Sequence, residues 1–182
     1  ACILSQCSII LYYIDRKEEN KVAVTSFGID HDRLLRGIYV SRKDTVENGI
    51  LTTFDIRMKE PNREMVLDTS VMHTIEHLMA TFFRGHKQWA EKTIYIGPMG
   101  CRTGMYAIFK GDLSSEDVLE IITKCYEYME NFEGEIPAAK SYMCGNYLDH
   151  NLGITKIECS KFLEEVLYQM KKENMQYPVQ DC

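Results

Sequence analysis

Residues 70–83 form an apolar run that contains one polar pattern, His-x-x-Glu-His, at His73, Glu76 and His77. Apolar residues recur every three or four positions through this run, which is typical of a buried amphipathic helix. The three polar side chains share one face of such a helix, because residues three and four apart are neighbours. Burying them without partners costs roughly 2 to 7 kcal/mol for each group. A divalent cation satisfies them directly, so the sequence predicts a metal-binding helix.

The pattern alone leaves the reaction open. The same letters mark inverted zinc peptidases, so an HxxEH-type metallopeptidase is the alternative enzyme, with Glu164 or Glu165 as its distal third ligand. A metal-storing or metal-sensing protein is another alternative, and its closed site requires a fourth protein ligand. Two hydrogen-bonded core histidines that bind no metal are the last alternative.

Composition and charge restrict the partners. The chain has 182 residues, of which 45% are hydrophobic and 26% charged, and this length suits one domain with a substantial core. A formal net charge of -6 without a block of Lys and Arg argues against nucleic acid and against anionic membrane. Seven Cys, an odd number with no secretory pattern before them, favour reduced thiols and a cytoplasmic location.

The order of elements predicts an α+β fold. Residues 38–42 and 50–58 read as a hairpin around the turn Glu47-Asn48-Gly49,, and residues 93–96 and 105–109 as two more strands. Three longer helices are expected: Ser114-x-x-Asp117 resembles a capping box that opens the second, and Thr155 opens the last, with Ile157 facing inward,. We expect an N-terminal extension of unknown role at residues 1–20, a single catalytic domain at 21–172 and a frayed tail at 173–182.

The third metal ligand is open from spacing alone, with a Cys, a Glu or another His as candidates. Cys144 lies in a glycine-containing loop and is preferred, whereas Cys125 and Cys159 occupy helix-spaced positions that suit apolar packing,. His150 is expected in a loop or on the surface.

Cys101 stands in a different context, at the end of a glycine-rich turn and next to Arg102. Exposure and a neighbouring cation lower the pKa of a thiol from its free value of about 8.5. The sequence therefore indicates Cys101 as a thiolate base.

Five blocks of sequence resemble the S-ribosylhomocysteine lyase family, LuxS, and follow one another in the order found in that family. The resemblance extends over roughly residues 25–168 and rests on the following blocks: Ser26-Phe27-Gly28-Ile29-Asp30-His31, Phe54-Asp55-Ile56-Arg57 with Pro61-Asn62, His73-Thr74-Ile75-Glu76-His77, the glycine-rich turn at residues 97–104, and Cys144-Gly145-Asn146-Tyr147.

The resemblance implies a fold, an assembly and a cofactor. The fold would be a single-layer antiparallel sheet packed against helices, of the LuxS/MPP-like metallohydrolase type. The protein would be a cytoplasmic homodimer with active sites at the subunit interface. Each subunit would hold one divalent metal, with Fe2+ in first place and Zn2+ or Co2+ as alternatives.

The resemblance also implies an activity. The enzyme would cleave the thioether of S-ribosylhomocysteine by Lewis-acid-assisted aldose-ketose isomerisation and β-elimination. The products would be homocysteine and 4,5-dihydroxy-2,3-pentanedione, the precursor of the quorum-sensing signal autoinducer-2. By matching positions in the family's motifs, the metal ligands would be His73, His77 and Cys144. The proton-transfer residues would be Glu76 and Cys101. The substrate contacts would be Ser26, His31 and Arg57.

Two observations limit the resemblance. Many family members have Asp-Ile-Ser where this chain has Tyr95-Ile96-Gly97, so the polar contacts of that Asp and Ser are not expected here. Without the family, Ser26 suits a turn as well as a substrate contact, and His31 suits a surface position. An arginine such as Arg57 is then more often a solvated strand residue than a substrate anchor.

Overall fold

A glycine turn sets the first hairpin of the sheet. In the computed structural model, which describes residues 28–178, strands β1 (Gly37–Val46) and β2 (Gly49–Arg57) pair antiparallel, with Val46 opposite Gly49. Gly49 has a φ of 145°, a conformation that residues with a side chain rarely adopt. The hairpin predicted around Glu47-Asn48-Gly49 is confirmed.

Two further strands complete the sheet. Strands β3 (Thr93–Pro98) and β4 (Gly104–Lys110) pair antiparallel with each other, and β4 also pairs antiparallel with β2. The strand order is therefore β1-β2-β4-β3. The predicted α+β fold with one antiparallel sheet is confirmed.

Three helices pack on one face of this sheet: α1 (Thr69–Gly85), α2 (Ser115–Glu130) and α3 (Leu152–Glu165). Helix α1 begins after Asp68, whose carboxylate accepts the backbone N–H of Ser70 at 3.0 Å. Helix α2 begins with the predicted capping box of Ser114 and Asp117. Such caps satisfy backbone N–H groups that have no partner within the first turn.

The main core lies between the helices and one face of the sheet. The strand residues on this face include Ile38, Phe54, Ile56 and Phe109, all with no exposed surface. Successive side chains of a strand point to opposite faces. Tyr39, Asp55 and Arg57 therefore lie on the face away from the helices.

That opposite face is covered as well. Tyr39, Asp55 and Arg57 expose 0%, 1% and 3% of their surface. A small apolar cluster of Ile29, Leu34 and Tyr39 lies there, with Tyr177 packed against it. The alternative of a solvated Arg57 is therefore wrong.

The start of α3 differs from the prediction. Asn151 is the cap, with its side chain accepting from the backbone N–H of Ile154 at 3.1 Å. Thr155 lies inside the helix and its hydroxyl donates to the Asn151 carbonyl at 2.7 Å. Ile157 does not face inward but is 50% exposed, because Cys159, Phe162 and Leu163 form the buried side.

Residues 166–178, the described part of the segment after α3, pack against the rest of the chain, whereas residues 179–182 of the predicted frayed tail lie outside the described residues. Residues Lys172–Asn174 form a 3-10 turn, and the Asn174 side chain donates to the Arg36 carbonyl at 2.8 Å. A side chain at Gly37 would collide with the Asn174 backbone. The C-terminal segment therefore packs tightly against the start of β1. Among residues 28–178, no helix is long and apolar enough to cross a membrane.

Candidate metal centre and thiol cavity

Helix α1 and the loop before α3 bring the predicted metal donors together. His73, Glu76 and His77 line one wall of an open cavity of about 490 Å³, and Cys144 lines another. The rings of His73 and His77 have centroids 4.6 Å apart. The sulfur of Cys144 lies 3.3 Å from Nε2 of His73.

Backbone carbonyls orient both helix histidines. Nδ1 of His73 lies 2.9 Å from the carbonyl oxygen of Asp149, and Nδ1 of His77 lies 2.7 Å from that of Pro137. Because a carbonyl only accepts hydrogen bonds, each Nδ1 carries the proton and each Nε2 presents a lone pair. Hydrogen bonds of this kind fix the tautomer and orientation of metal-binding histidines.

His150 is an additional member of this cluster. It lies in the loop, as expected, but its ring stacks on His73 at 4.2 Å between centroids and lies 4.8 Å from the ring of His77. Its Nε2 is buried and has no hydrogen-bond partner within the described part of the chain. The only signal in the sequence was its position six residues after Cys144.

Thr74 joins the loop to α1. Its buried hydroxyl donates to the Ser70 carbonyl at 2.7 Å and accepts the backbone N–H of Asn151 at 2.9 Å. The same oxygen lies 3.3 Å from Nδ1 of His150. In the sequence, a threonine on the buried side of an apolar helix is the feature that indicates such a contact, and it was not among the predicted site residues.

The arrangement fits a divalent metal. One potential ligand atom from each of His73, His77, Cys144 and His150 lies within 4.8 Å of the others. Imidazole nitrogen and thiolate sulfur suit zinc, iron and cobalt. The unpartnered Nε2 of His150 and the two outward Nε2 lone pairs also call for an electrophilic partner at this point.

Cys101 lies in a second cavity, of about 240 Å³. It belongs to the turn between β3 and β4, which is closed by hydrogen bonds from Met99 N–H to the Gly104 carbonyl at 3.0 Å and from Arg102 N–H to the Met99 carbonyl at 2.9 Å. A side chain at Gly104 would collide with the Ile56 carbonyl. Glycine there lets the turn approach β2 closely.

Polar neighbours hold the Cys101 thiol in place. Nη1 of Arg57 lies 3.7 Å from its sulfur, and the Thr103 hydroxyl lies 3.0 Å away. Burial alone would raise the pKa of this thiol, but the hydrogen bonds of Thr103 and the charge and hydrogen bond of Arg57 outweigh burial and hold the pKa below its ordinary value. The environment therefore favours the thiolate, as expected for a base.

The Arg57 guanidinium is itself fixed by a buried ion pair. Its Nε lies 3.1 Å from one oxygen of Asp55 and its Nη2 lies 2.5 Å from the other. Burial alone would lower the pKa of Arg57, but the Asp55 carboxylate raises it above its ordinary value. Arg57 therefore presents a permanent positive charge to Cys101.

Within one chain the two cavities are separate. The metal donors line a cavity formed by α1 and the loop before α3, whereas the Cys101 cavity is lined by Arg57, Asp55 and Tyr106 from the face of the sheet away from the helices. The two cavities share no lining residue. A single chain thus holds two separate cavities and not one continuous site.

The remaining candidates divide between these two cavities. His31 lines the Cys101 cavity, and its Nδ1 lies 3.0 Å from the Ile29 carbonyl. Glu76 is half-buried beside the metal donors. Ser26 and the extension at residues 1–20 lie outside the described residues. Glu164 and Glu165, the ligands required by the peptidase alternative, are exposed and not part of the metal-donor cluster.

The two departures from the family pattern are in contact. The ring of Tyr95 lies over Gly97, where a Cβ atom would meet its hydroxyl. Tyr95 remains 49% exposed. The absence of a side chain at position 97 therefore makes room for the aromatic ring at position 95.

Comparison with known proteins identifies the family to which this sequence is similar. The sequence model of the LuxS family, described as S-ribosylhomocysteinase, matches residues 24–173. A protein named S-ribosylhomocysteine lyase from Phocaeicola vulgatus is 54% identical over 158 residues, covering 87% of this chain and 98% of the relative. Proteins of the same name from Clostridium beijerinckii and Porphyromonas gingivalis are 51% and 49% identical over 155 residues, each covering 85% of this chain and 98% of the relative.

Proposed function

This chain belongs to the LuxS family of S-ribosylhomocysteine lyases. We propose that the two cavities described above act as the two half-sites at which the enzyme cleaves the carbon–sulfur bond. The enzyme is metal-dependent, and its substrate is S-ribosylhomocysteine. The observation that carries the residue assignment is the convergence of His73, His77 and Cys144 from two distant segments. The metallopeptidase alternative is not favoured.

His73, His77 and Cys144 are the proposed metal ligands. A divalent metal held there supplies Lewis acidity, which makes protons beside a bound carbonyl group easier to remove. The Asp149 and Pro137 carbonyls keep the two imidazoles turned towards the cavity. His150 stacks on His73 and fills the inner side of the cluster.

Cys101 and Glu76 are the proposed proton-transfer residues. Thr103 and Arg57 lower the pKa of Cys101 and so favour its thiolate form, which accepts a proton from a substrate carbon,. Glu76 borders the metal cavity and offers a carboxylate to a substrate held against His73 and His77. Protons move along the sugar chain until a carbonyl lies next to the carbon that loses its proton, after which homocysteine leaves as a thiol.

The substrate contacts proposed are Ser26, His31 and Arg57. Arg57 and His31 line the Cys101 cavity with groups suited to hold hydroxyl oxygens,. Ser26 is assigned only on its match to the family motif.

The complete site is proposed to form between two copies of the chain. One copy supplies the metal donors and Glu76, and the other supplies Cys101, Arg57 and His31. The separation of the two cavities supports this arrangement, because the cavity between α1 and the loop before α3 contains the metal donors but not Cys101, and the other contains Cys101 but no proposed metal ligand.

Two inactive variants test the shared site. Cys101→Ala and Cys144→Ala chains are each expected to be inactive in an assay of thiol released from S-ribosylhomocysteine. After the two are mixed, unfolded and refolded together, about one quarter of wild-type activity is expected, because random pairing gives one intact site in about half of the dimers. No recovery would place both half-sites in one chain. Casein digestion without thiol release would instead favour the peptidase.

The metal and the setting are further parts of the proposal. Fe2+ is the proposed metal, with Zn2+ and Co2+ as alternatives that share the same ligand preferences. Anaerobic metal analysis alongside activity distinguishes them. We also propose a cytoplasmic location, where reducing conditions keep Cys101 and Cys144 as thiols, and a role in autoinducer-2 synthesis through the product 4,5-dihydroxy-2,3-pentanedione. Cell fractionation and identification of that product test these two points.

A further inference from the structure

The C-terminal segment forms part of the Cys101 cavity. The ring of Tyr177 lines this cavity and stacks on Tyr39, with centroids 4.7 Å apart and planes at 8°. The next residue, Pro178, accepts the backbone N–H of Asp30 at 3.3 Å. Before it, Asn174 donates to the Arg36 carbonyl at 2.8 Å. Tyr177 is thus held between two points of attachment.

Hydrogen bonds connect Tyr177 to the thiol. The Tyr177 hydroxyl donates to Oδ2 of Asp55 at 2.9 Å. Asp55 binds Arg57 through both of its oxygens, and Nη1 of Arg57 lies 3.7 Å from the sulfur of Cys101. Ser41 also hydrogen-bonds with the Tyr177 hydroxyl. Four side chains therefore form one sequence of contacts from the C-terminal segment to Cys101.

The protonation states of Tyr177 and Asp55 agree with a hydrogen bond in which Tyr177 donates and Asp55 accepts. Burial and the negative charge of Asp55 hold the pKa of Tyr177 well above its ordinary value, so its hydroxyl is a donor at every physiological pH. Burial raises the pKa of the Asp55 carboxyl, while Arg57 and Tyr177 oppose this rise by stabilising the carboxylate. If the Tyr177 hydroxyl were removed, Oδ2 of the buried Asp55 carboxylate would keep only its hydrogen bond from Arg57.

We propose that Tyr177 is a positioning residue for Cys101, acting by holding Asp55 and thereby the Arg57 guanidinium against the thiol. The inference rests on the proposed role of Cys101 in proton transfer. It adds a residue from beyond position 173, where the match to the family ends.

Tyr177→Phe is the sharpest test, because it removes the hydroxyl and keeps the ring that stacks on Tyr39. Tyr168→Phe is the matched control, since Tyr168 is exposed and its hydroxyl binds only Glu127, at 3.1 Å, among the described contacts. The rate of alkylation of Cys101 by iodoacetamide is measured against pH by mass spectrometry of its peptide, together with kcat and KM. The titratable side chains that share the cavity are His31, Asp55, Arg57, Cys101, Tyr106 and Tyr177.

The expected result for Tyr177→Phe is an alkylation midpoint about half a pH unit higher and a kcat about 3- to 10-fold lower, with KM little changed. Tyr168→Phe should match the wild type in all three. A rise in KM alone would make Tyr177 only a wall of the cavity, and an unchanged alkylation profile would remove it as a positioning residue. Tyr177→Leu provides a second variant, in which the same upward shift is expected with a higher KM.

The alkylation profile requires no turnover, so it separates this inference from the proposed function. Full activity in Cys101→Ala would overturn the role of Cys101 in catalysis. A shifted alkylation midpoint in Tyr177→Phe would still establish the coupling of Tyr177 to the thiol.

Discussion

The sulfur of Cys144 lies 3.3 Å from Nε2 of His73, although the two residues are 71 positions apart in the chain. This approach requires the loop before α3 to fold back onto α1. The loop is held there by carbonyl groups of Pro137 and Asp149, which accept from the two helix histidines. Metal binding is therefore coupled to the docking of this loop.

Removal of Cys144 should remove the metal. Cys144→Ala leaves two imidazole ligands from α1, and two ligands hold a divalent cation much less tightly than three. Metal content after gel filtration, measured by mass spectrometry, should fall far below one ion per chain. His150→Gln is the companion variant; because His150 stacks on His73 but is not one of the three proposed ligands, this variant should retain close to one ion, with affinity lowered about tenfold,. Equal metal loss in both variants would make His150 a ligand.

Thr74→Val should loosen the loop. The substitution keeps the shape of the side chain but leaves the Asn151 N–H without its acceptor, which costs about 1 to 3 kcal/mol of folding free energy,. Urea unfolding of the metal-free protein measures this loss.

Thr81→Val is the matched control for Thr74→Val. Thr81 lies on the same helix and its hydroxyl donates to the His77 carbonyl at 2.7 Å, but it is exposed to solvent. Its variant should lose less than about 0.5 kcal/mol. Similar losses in the two variants would mean that Thr74 has no special role in docking the loop.

Glu76→Gln and Cys101→Ala should each lose activity while the metal stays bound. A positioned acid or base contributes about 10² to 10⁴ in rate, so thiol release from S-ribosylhomocysteine should fall by at least two orders of magnitude. Neither residue is a proposed ligand, and metal content should remain at one ion per chain. If Glu76→Gln lost its metal, Glu76 would have to be moved from proton transfer to metal binding.

Local patterns predicted the parts of the fold and site that depend on neighbouring residues. The spacing of His73 and His77 placed both on one helix face, and the Glu47-Asn48-Gly49 turn placed the first hairpin. The Ser114 and Asp117 capping box likewise marked the start of α2. Each of these features is decided by residues within about one turn of one another.

Features decided by distant contacts were not accessible in this way. His150 joins the metal donors because Thr74 binds the Asn151 backbone across 77 positions. Tyr177 reaches the thiol cavity because it binds Asp55 across 122 positions. No periodicity records such contacts. Cys144 was preferred as the third ligand from its loop position, but spacing left a Glu or another His open until the family resemblance was considered.

Thr103→Val should make Cys101 less reactive. The Thr103 hydroxyl is the principal group that lowers the pKa of this thiol, and it also accepts a hydrogen bond from Arg57. Its loss should raise the thiol pKa by about one unit, since one unit corresponds to about 1.4 kcal/mol. At a pH below the thiol pKa, the thiolate fraction and the alkylation rate of Cys101 should then fall about tenfold. The difference in alkylation rate should disappear about one to two pH units above the pKa of a free thiol. There the Cys101 thiol is fully ionised in both the wild type and the variant.

Thr123→Val is the control, because the Thr123 hydroxyl binds only the Leu119 carbonyl of its own helix among the described contacts. In this variant Cys101 should be alkylated as in the wild type. A midpoint that stayed in place or moved down in Thr103→Val would mean that Arg57 alone sets the thiol pKa.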